Sequence, residues 1–194
     1  MAIASLPILT IMMLGVFQFF ASFLGRELAW YSGFWVYWPL WCILFPGWLL
    51  GWNKFKNLFC YQKLNKPLWF VFIFPVVMTF IGRFVMSYDK ADLWGRLVLF
   101  FMAFANGIME EVLWRGIFIT LFPDNIKWSV IWPTIWFALW HLAPGSISIS
   151  FNPWVLMAGA AIFGFCWSWL AMKSRTIRWS AISHILTGLV RVFG

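Results

Sequence analysis

Polar residues in this chain are gathered into short stretches that separate seven apolar runs, approximately Leu6–Leu24, Gly33–Trp52, Leu68–Met86, Leu93–Phe122, Trp128–Leu142, Pro153–Met172 and Ser180–Phe193. A helix needs about 20 residues to cross the hydrocarbon of a bilayer. The pattern therefore predicts an all-α polytopic membrane bundle of about seven transmembrane segments. The fourth run is longer than a span requires, so it is expected to tilt or to break near Gly107. The fifth and seventh are short and are expected to be tucked among their neighbours. Pro46, Pro75 and Pro133 fall inside runs and are expected to kink them.

Composition agrees. Of 194 residues, 63% are hydrophobic and only 10% charged, against about 25% charged in a soluble domain. No composition shift, repeat or linker marks off a soluble unit, so residues 1–194 read as a single integral membrane domain, with a core over about 93–194 and three accessory N-terminal helices in 1–92. The net charge of +8 does not indicate nucleic acid, because half of the 14 lysines and arginines sit in two loops. Lys54, Lys56, Lys63 and Lys66 lie between runs two and three, and Lys173, Arg175 and Arg178 between six and seven. The loops have the same parity, so the positive-inside rule puts both in the cytoplasm. Arg26 with Glu27, the net acidic Asp89-Lys90-Asp92 and the uncharged stretch from Ala143 to Asn152 fall on the other side. The N-terminus is then cytoplasmic and the C-terminus external, in a plasma or inner membrane. No Lys or Arg precedes the first run, so a cleavable signal peptide is not expected. Cys42, Cys60 and Cys166 form neither a disulfide framework nor a metal-ligand spacing.

Two adjacent carboxylates, Glu110 and Glu111, lie deep inside the fourth run. A charge at the centre of a bilayer costs roughly 2.5–3.5 kcal/mol on insertion scales, so a chain keeps such a pair only with partners. Arg115 lies one helical turn past Glu111, on the same face. The only histidines, His141 and His184, fall in or at the edge of later runs. Counting 1.5 Å per residue from the inner loops puts Glu110 at ~18 Å and His141 at ~21 Å. His184 comes in at ~9 Å, and can join them if its helix starts within the membrane. Two glutamates, one arginine and two histidines at membrane depth have the makings of an active site.

These residues stand as Glu110-Glu111-x-x-x-Arg115-Gly116, then Phe137-x-x-x-His141, then His184 in the last run. That order resembles the CPBP family, the CAAX-protease and bacteriocin-processing (Abi) type of intramembrane glutamate protease, over residues 106 to 188. The resemblance implies hydrolysis of a peptide bond near the C-terminus of a membrane-anchored or lipidated protein, by a water and without an acyl-enzyme. Glu110 would be the general base and would hold the water with His141. Glu111, kept by Arg115, would orient the site, and His184 would face the developing oxyanion. The family usually carries Asn, sometimes Asp, four residues past the last His; here that position is Gly188. Asn106, one turn before Glu110, is the candidate replacement, Phe137 a candidate support, and Gly188→Asn is expected to restore part of the turnover that Asn106→Ala would lose. The departure also fits branches that process C-terminal anchors of surface proteins.

Other readings stand beside this one. A structural salt bridge could account for Glu111 and Arg115, and a silent relative acting as an immunity or scaffold protein would suit the loss of Asn at 188. A proton-relaying transporter is disfavoured, since no inverted repeat is visible. One glutamate and two histidines could bind zinc, but the H-E-x-x-H spacing is missing and the glutamate pair has its own arginine. No metal or cofactor is expected. The expected partners are the bilayer and a membrane-anchored protein or peptide substrate, with no nucleic acid. Trp128, Trp132, Trp136 and Trp140 recur every fourth residue as a packing or lipid-facing stripe, while Trp35, Trp38 and Trp52 read as an interfacial belt. Ser146 to Ser150 alternates like a strand but is expected to be an external loop.

Overall fold

A computed structural model describes residues 1–85, 92–148 and 152–193. Among them every regular element is a helix. The protein is an all-α membrane bundle. Its helices are α1 (Ala2–Leu24), α2 (Arg26–Leu50), the short α3 (Trp52–Lys56), α4 (Lys66–Val85), α5 (Leu93–Leu121), α6 (Trp132–Trp140), the single turn α7 (Leu142–Gly145), α8 (Pro153–Ser174) and α9 (Arg178–Phe193). Four of these, α1, α2, α5 and α8, are long and apolar enough to cross a bilayer. Exposed Phe70, Ile73, Phe74 and Val77 on α4 and Leu97, Phe101 and Phe104 on α5 form the surface that lipid would cover. Met86, the expected end of the third run, lies outside the described residues, as do Asp89, Lys90, Ile149 and Ser150.

Helix ends follow local chemistry. The Asp92 side chain accepts from Gly95 N–H at 2.8 Å and starts α5. Asn152 accepts from Trp154 N–H at 2.9 Å, with Pro153 at the first position of α8. α8 stops at Arg175, the one non-glycine residue with a left-handed backbone (φ 58°) among those described.

The expected proline kinks take a specific form at two positions. A π turn, Trp38–Leu44, contains Pro39 and ends just before Pro46, and another, Lys127–Ile131, leads into Pro133. Widening the hydrogen-bond ladder there accommodates rings that cannot donate and would otherwise strike a carbonyl one turn back. Pro75 sits within α4, its carbonyl accepting from Thr79 Oγ1 at 2.8 Å.

α5 does not break at Gly107. Its irregularity is a third π turn, Val112–Gly116, immediately after the glutamate pair and without a proline to account for it. Gly107 is instead a crossing point. A Cβ there would lie 2.4 Å from Ile185 Cγ1 and 2.9 Å from its backbone nitrogen, and one on Gly188 would lie 2.8 Å from Ala103 Cβ. α5 and α9 thus meet nearly backbone to backbone, the close approach that small residues allow between membrane helices.

Both basic loops come to one end of the bundle. The Leu58 carbonyl accepts from Thr176 Oγ1 at 2.9 Å and from Ile177 N–H at 3.0 Å. Trp179 Nε1 donates to the Gln62 carbonyl, Arg178 lies over the Tyr61 ring at 5.2 Å, and Arg175 pairs with Asp124. At the other end Gln18 Nε2 donates to Ser146 Oγ at 2.9 Å, which ties α1 to the turn that opens the expected external loop.

Candidate active site

The π turn in α5 decides how the buried charges meet. Glu111 is the last regular residue before it and Arg115 lies within it. Arg115 folds back so that NH1 donates to Glu111 Oε1 at 2.9 Å, with both side chains fully buried. Its other donors are also engaged: Nε reaches Ser168 Oγ at 3.2 Å and NH2 the Gly164 carbonyl at 3.1 Å. Gly164 is small for a reason. A Cβ there would meet Phe137 at 2.8 Å and Arg115 NH2 at 3.2 Å. The guanidinium lies 4.2 Å from the Phe137 ring centre, in cation–π contact.

His184 stands between the two carboxylates. Its Nδ1 is 3.1 Å from Glu111 Oε1 and its Nε2 is 3.8 Å from Glu110 Oε2. A carboxylate only accepts, so Nδ1 carries the proton donated to Glu111. Trp167 stacks on the imidazole at 3.8 Å and 15° and is itself fixed by donating to Ser183 Oγ at 3.1 Å. The His184 side chain is 13% exposed, against 4% for Glu110 and 0% for Glu111, so the site is most open on the histidine side.

His141 ends α6, its Nδ1 2.7 Å from the Phe137 carbonyl. A carbonyl also only accepts, so Nδ1 is the donor in this contact. Phe137 is the shared wall: besides Arg115 it faces His141 at 4.6 Å, Trp114 at 5.5 Å, and His184 and Trp167 at 6.2 Å each. Segments distant in sequence thus converge as the depth count requires. Glu110, Glu111, Arg115 and His184 are joined by direct contacts, and His141 enters through Phe137.

Three residues stand differently from the sequence expectation. Asn106 is engaged from α2, its Oδ1 accepting from Trp38 Nε1 at 3.0 Å. Trp38 is accordingly buried rather than part of an exposed belt, unlike Trp35 and Trp52. Trp140 leaves the packing stripe: it is fully buried, and its Nε1 donates to Glu110 Oε1 at 3.3 Å. Four-residue spacing shows a shared helix face but not that its last member reaches a carboxylate. Sequence reasoning also passed over Tyr37, Trp114, Trp167 and Ser168, which no charge or motif marks.

Gly188 has a packing reason. Thr187, its polar neighbour, donates back to the Ser183 carbonyl at 2.8 Å. An Asn at 188 would drive its Cβ into Ala103, including that residue's backbone Cα at 3.1 Å. Asn therefore cannot be introduced there as a simple replacement for Asn106. Gly188→Asn is expected to destabilise the protein by about 1–3 kcal/mol, the usual range for overpacking, seen as a lower melting temperature in detergent. An unchanged melting temperature would mean that α5 and α9 do not cross there.

The family model for type II CAAX prenyl endopeptidase Rce1-like proteins matches residues 92–190, just over half of the 194 residues. The chain belongs to this family. No curated protein and no solved structure matches it. The matched part of this Rce1-like protein opens at the cap of α5 and takes in Glu110, Glu111, Arg115, His141 and His184, whereas α1 to α4 lie outside it. The protein is thus an integral membrane member of a protease family.

Proposed function

We propose that the protein is a glutamate-type intramembrane endopeptidase that cleaves a prenylated or otherwise membrane-anchored protein near its C-terminus. The observation carrying this reading is the unequal treatment of the two carboxylates. Glu111 is bound to Arg115 and His184. Among the described residues Glu110 has a single neutral donor, Trp140, on Oε1, while Oε2 faces His184 Nε2 beyond hydrogen-bond length. One carboxylate is structural and the other is positioned to take a proton.

In the proposed reaction, Glu110 accepts a proton from a water whose oxygen attacks the scissile carbonyl. The carbonyl electrons move onto its oxygen, which His184 Nε2 can stabilise when protonated. The tetrahedral intermediate collapses with cleavage of the C–N bond, and the proton held by Glu110 passes to the departing amine. His141, at the end of α6, helps hold the water. Both basic loops would face the cytoplasm, as would the N-terminus, with the C-terminus external. The reading includes no metal. Glu111 is already committed to Arg115, and among the described residues no three His, Cys, Asp or Glu side chains are grouped to hold an ion.

The test is cleavage of a synthetic farnesylated peptide ending in a CAAX sequence by the purified chain in liposomes. Turnover is expected to survive extensive chelation, with much less than one zinc per chain by elemental analysis. Stoichiometric zinc that His141→Ala releases would replace this reading with a metalloprotease. The absent amide at position 188 favours a silent scaffold as the second reading, and failure to cleave any prenylated or anchored substrate would select it.

A further inference from the structure

We infer that Tyr37, on a helix outside the family-matched region, is a positioning residue that holds Glu110 through Trp140; this rests on Glu110 being the base. Tyr37 is fully buried on α2. Its ring stacks on the Trp140 indole at 4.2 Å and 25°, and its hydroxyl accepts from Trp114 Nε1 at 2.7 Å. Trp140 in turn donates to Glu110 Oε1. Trp114 sits in the π turn one residue before Arg115. A single side chain therefore braces both the donor on Glu110 and the turn that carries Arg115.

The rest of the N-terminal half completes a socket for the Trp140 ring. Phe17 of α1 lies 6.0 Å from it and Phe34 of α2 6.4 Å, edge-on. Gly33 makes room for this, since a Cβ there would lie 2.2 Å from the Phe17 ring. Trp38, next to Tyr37, bonds Asn106 one turn before Glu110. α2 thus grips α5 on both sides of the glutamate pair.

The chemical consequence concerns orientation. A carboxylate in apolar surroundings has few partners to fix its plane. The Trp140 N–H on Oε1 leaves Oε2 turned toward His184 and the water. The indole can hold that direction only if its ring is clamped, and Tyr37 is the clamp. Misplacing a reacting group by about 1 Å can cost 10²-fold in rate.

The experiment uses the full chain and the farnesylated CAAX peptide. Tyr37→Leu removes the stack, and Trp140→Phe removes the donor while keeping an aromatic ring. Each is expected to lower kcat by roughly 10–100-fold with KM within about threefold, and the double variant to be no worse than Trp140→Phe alone. That non-additivity would not arise from two independent packing losses. Tyr37→Phe keeps the stack but strips the acceptor from Trp114 Nε1, so its kcat is expected to fall between those of the parent and Tyr37→Leu. If Tyr37→Leu does not accumulate, Trp140→Phe decides: kcat within threefold of the parent overturns the inference. So does a double variant whose losses multiply. Glu110→Gln in the same assay separates the two readings. If it still cleaves, the glutamate mechanism fails; if it is inactive while Trp140→Phe is normal, only the positioning role fails.

Discussion

Glu110→Gln is expected to abolish cleavage while leaving the protein folded. Gln has nearly the same shape as Glu, its amide oxygen can still accept from Trp140 Nε1, and its amide NH2 faces His184 Nε2 across the 3.8 Å gap. What it cannot do is take a proton from water. General-base catalysis is typically worth 10²–10⁴-fold, so turnover of the farnesylated CAAX peptide should fall by at least about 10²-fold, with unchanged accumulation and melting temperature. Glu111→Gln should behave differently. It leaves Arg115 buried without its counter-charge, so loss of activity should come with loss of folded protein. A Glu110→Gln variant that cleaves within tenfold of the parent would remove Glu110 as the base.

The sequence carried the chemistry better than its surroundings. Charged residues inside apolar runs are conspicuous because each is costly there, so Glu110, Glu111, Arg115 and the two histidines could be picked out and their convergence expected from helix rise alone. The i, i+4 pairing of Glu111 with Arg115 needed only helical spacing, and it survives the π turn between them. Aromatic partners were hidden for the opposite reason. With 17 Trp and 23 Phe, no single ring stands out, and whether a tryptophan meets lipid, a headgroup or a carboxylate is set by neighbours from distant segments. Trp140 and Trp38 turned inward because Tyr37, Asn106 and Glu110 lie opposite them. The role of glycine was equally hidden. Gly107 reads as a breaker and Gly188 as a missing side chain until the α5–α9 crossing makes both of them contact surfaces. The π turn at Val112–Gly116 has no signal that composition or proline placement supplies.

Arg115→Ala is expected to have the largest effect on stability. The guanidinium donates to Glu111 Oε1, Ser168 Oγ and the Gly164 carbonyl and lies on the Phe137 ring, all buried. Removing it leaves Glu111 buried with only His184 as a possible counter-charge, and it opens a void between α5 and α8. Breaking one side of a buried ion pair typically costs 3–5 kcal/mol, because the remaining charge stays desolvated. The folded fraction after detergent extraction should fall sharply, and activity with it. Removing the other charge as well tests the cause. Glu111→Ala with Arg115→Ala no longer strands an ion, so it should recover part of the lost stability. Activity should not return, because His184 Nδ1 loses the oxygen to which it donates, and the Nε2 it presents toward Glu110 is no longer held in place. A double variant no more stable than Arg115→Ala would show that the arginine serves packing alone. Recovery of cleavage in the double variant would show that Glu111 has no part in orienting His184.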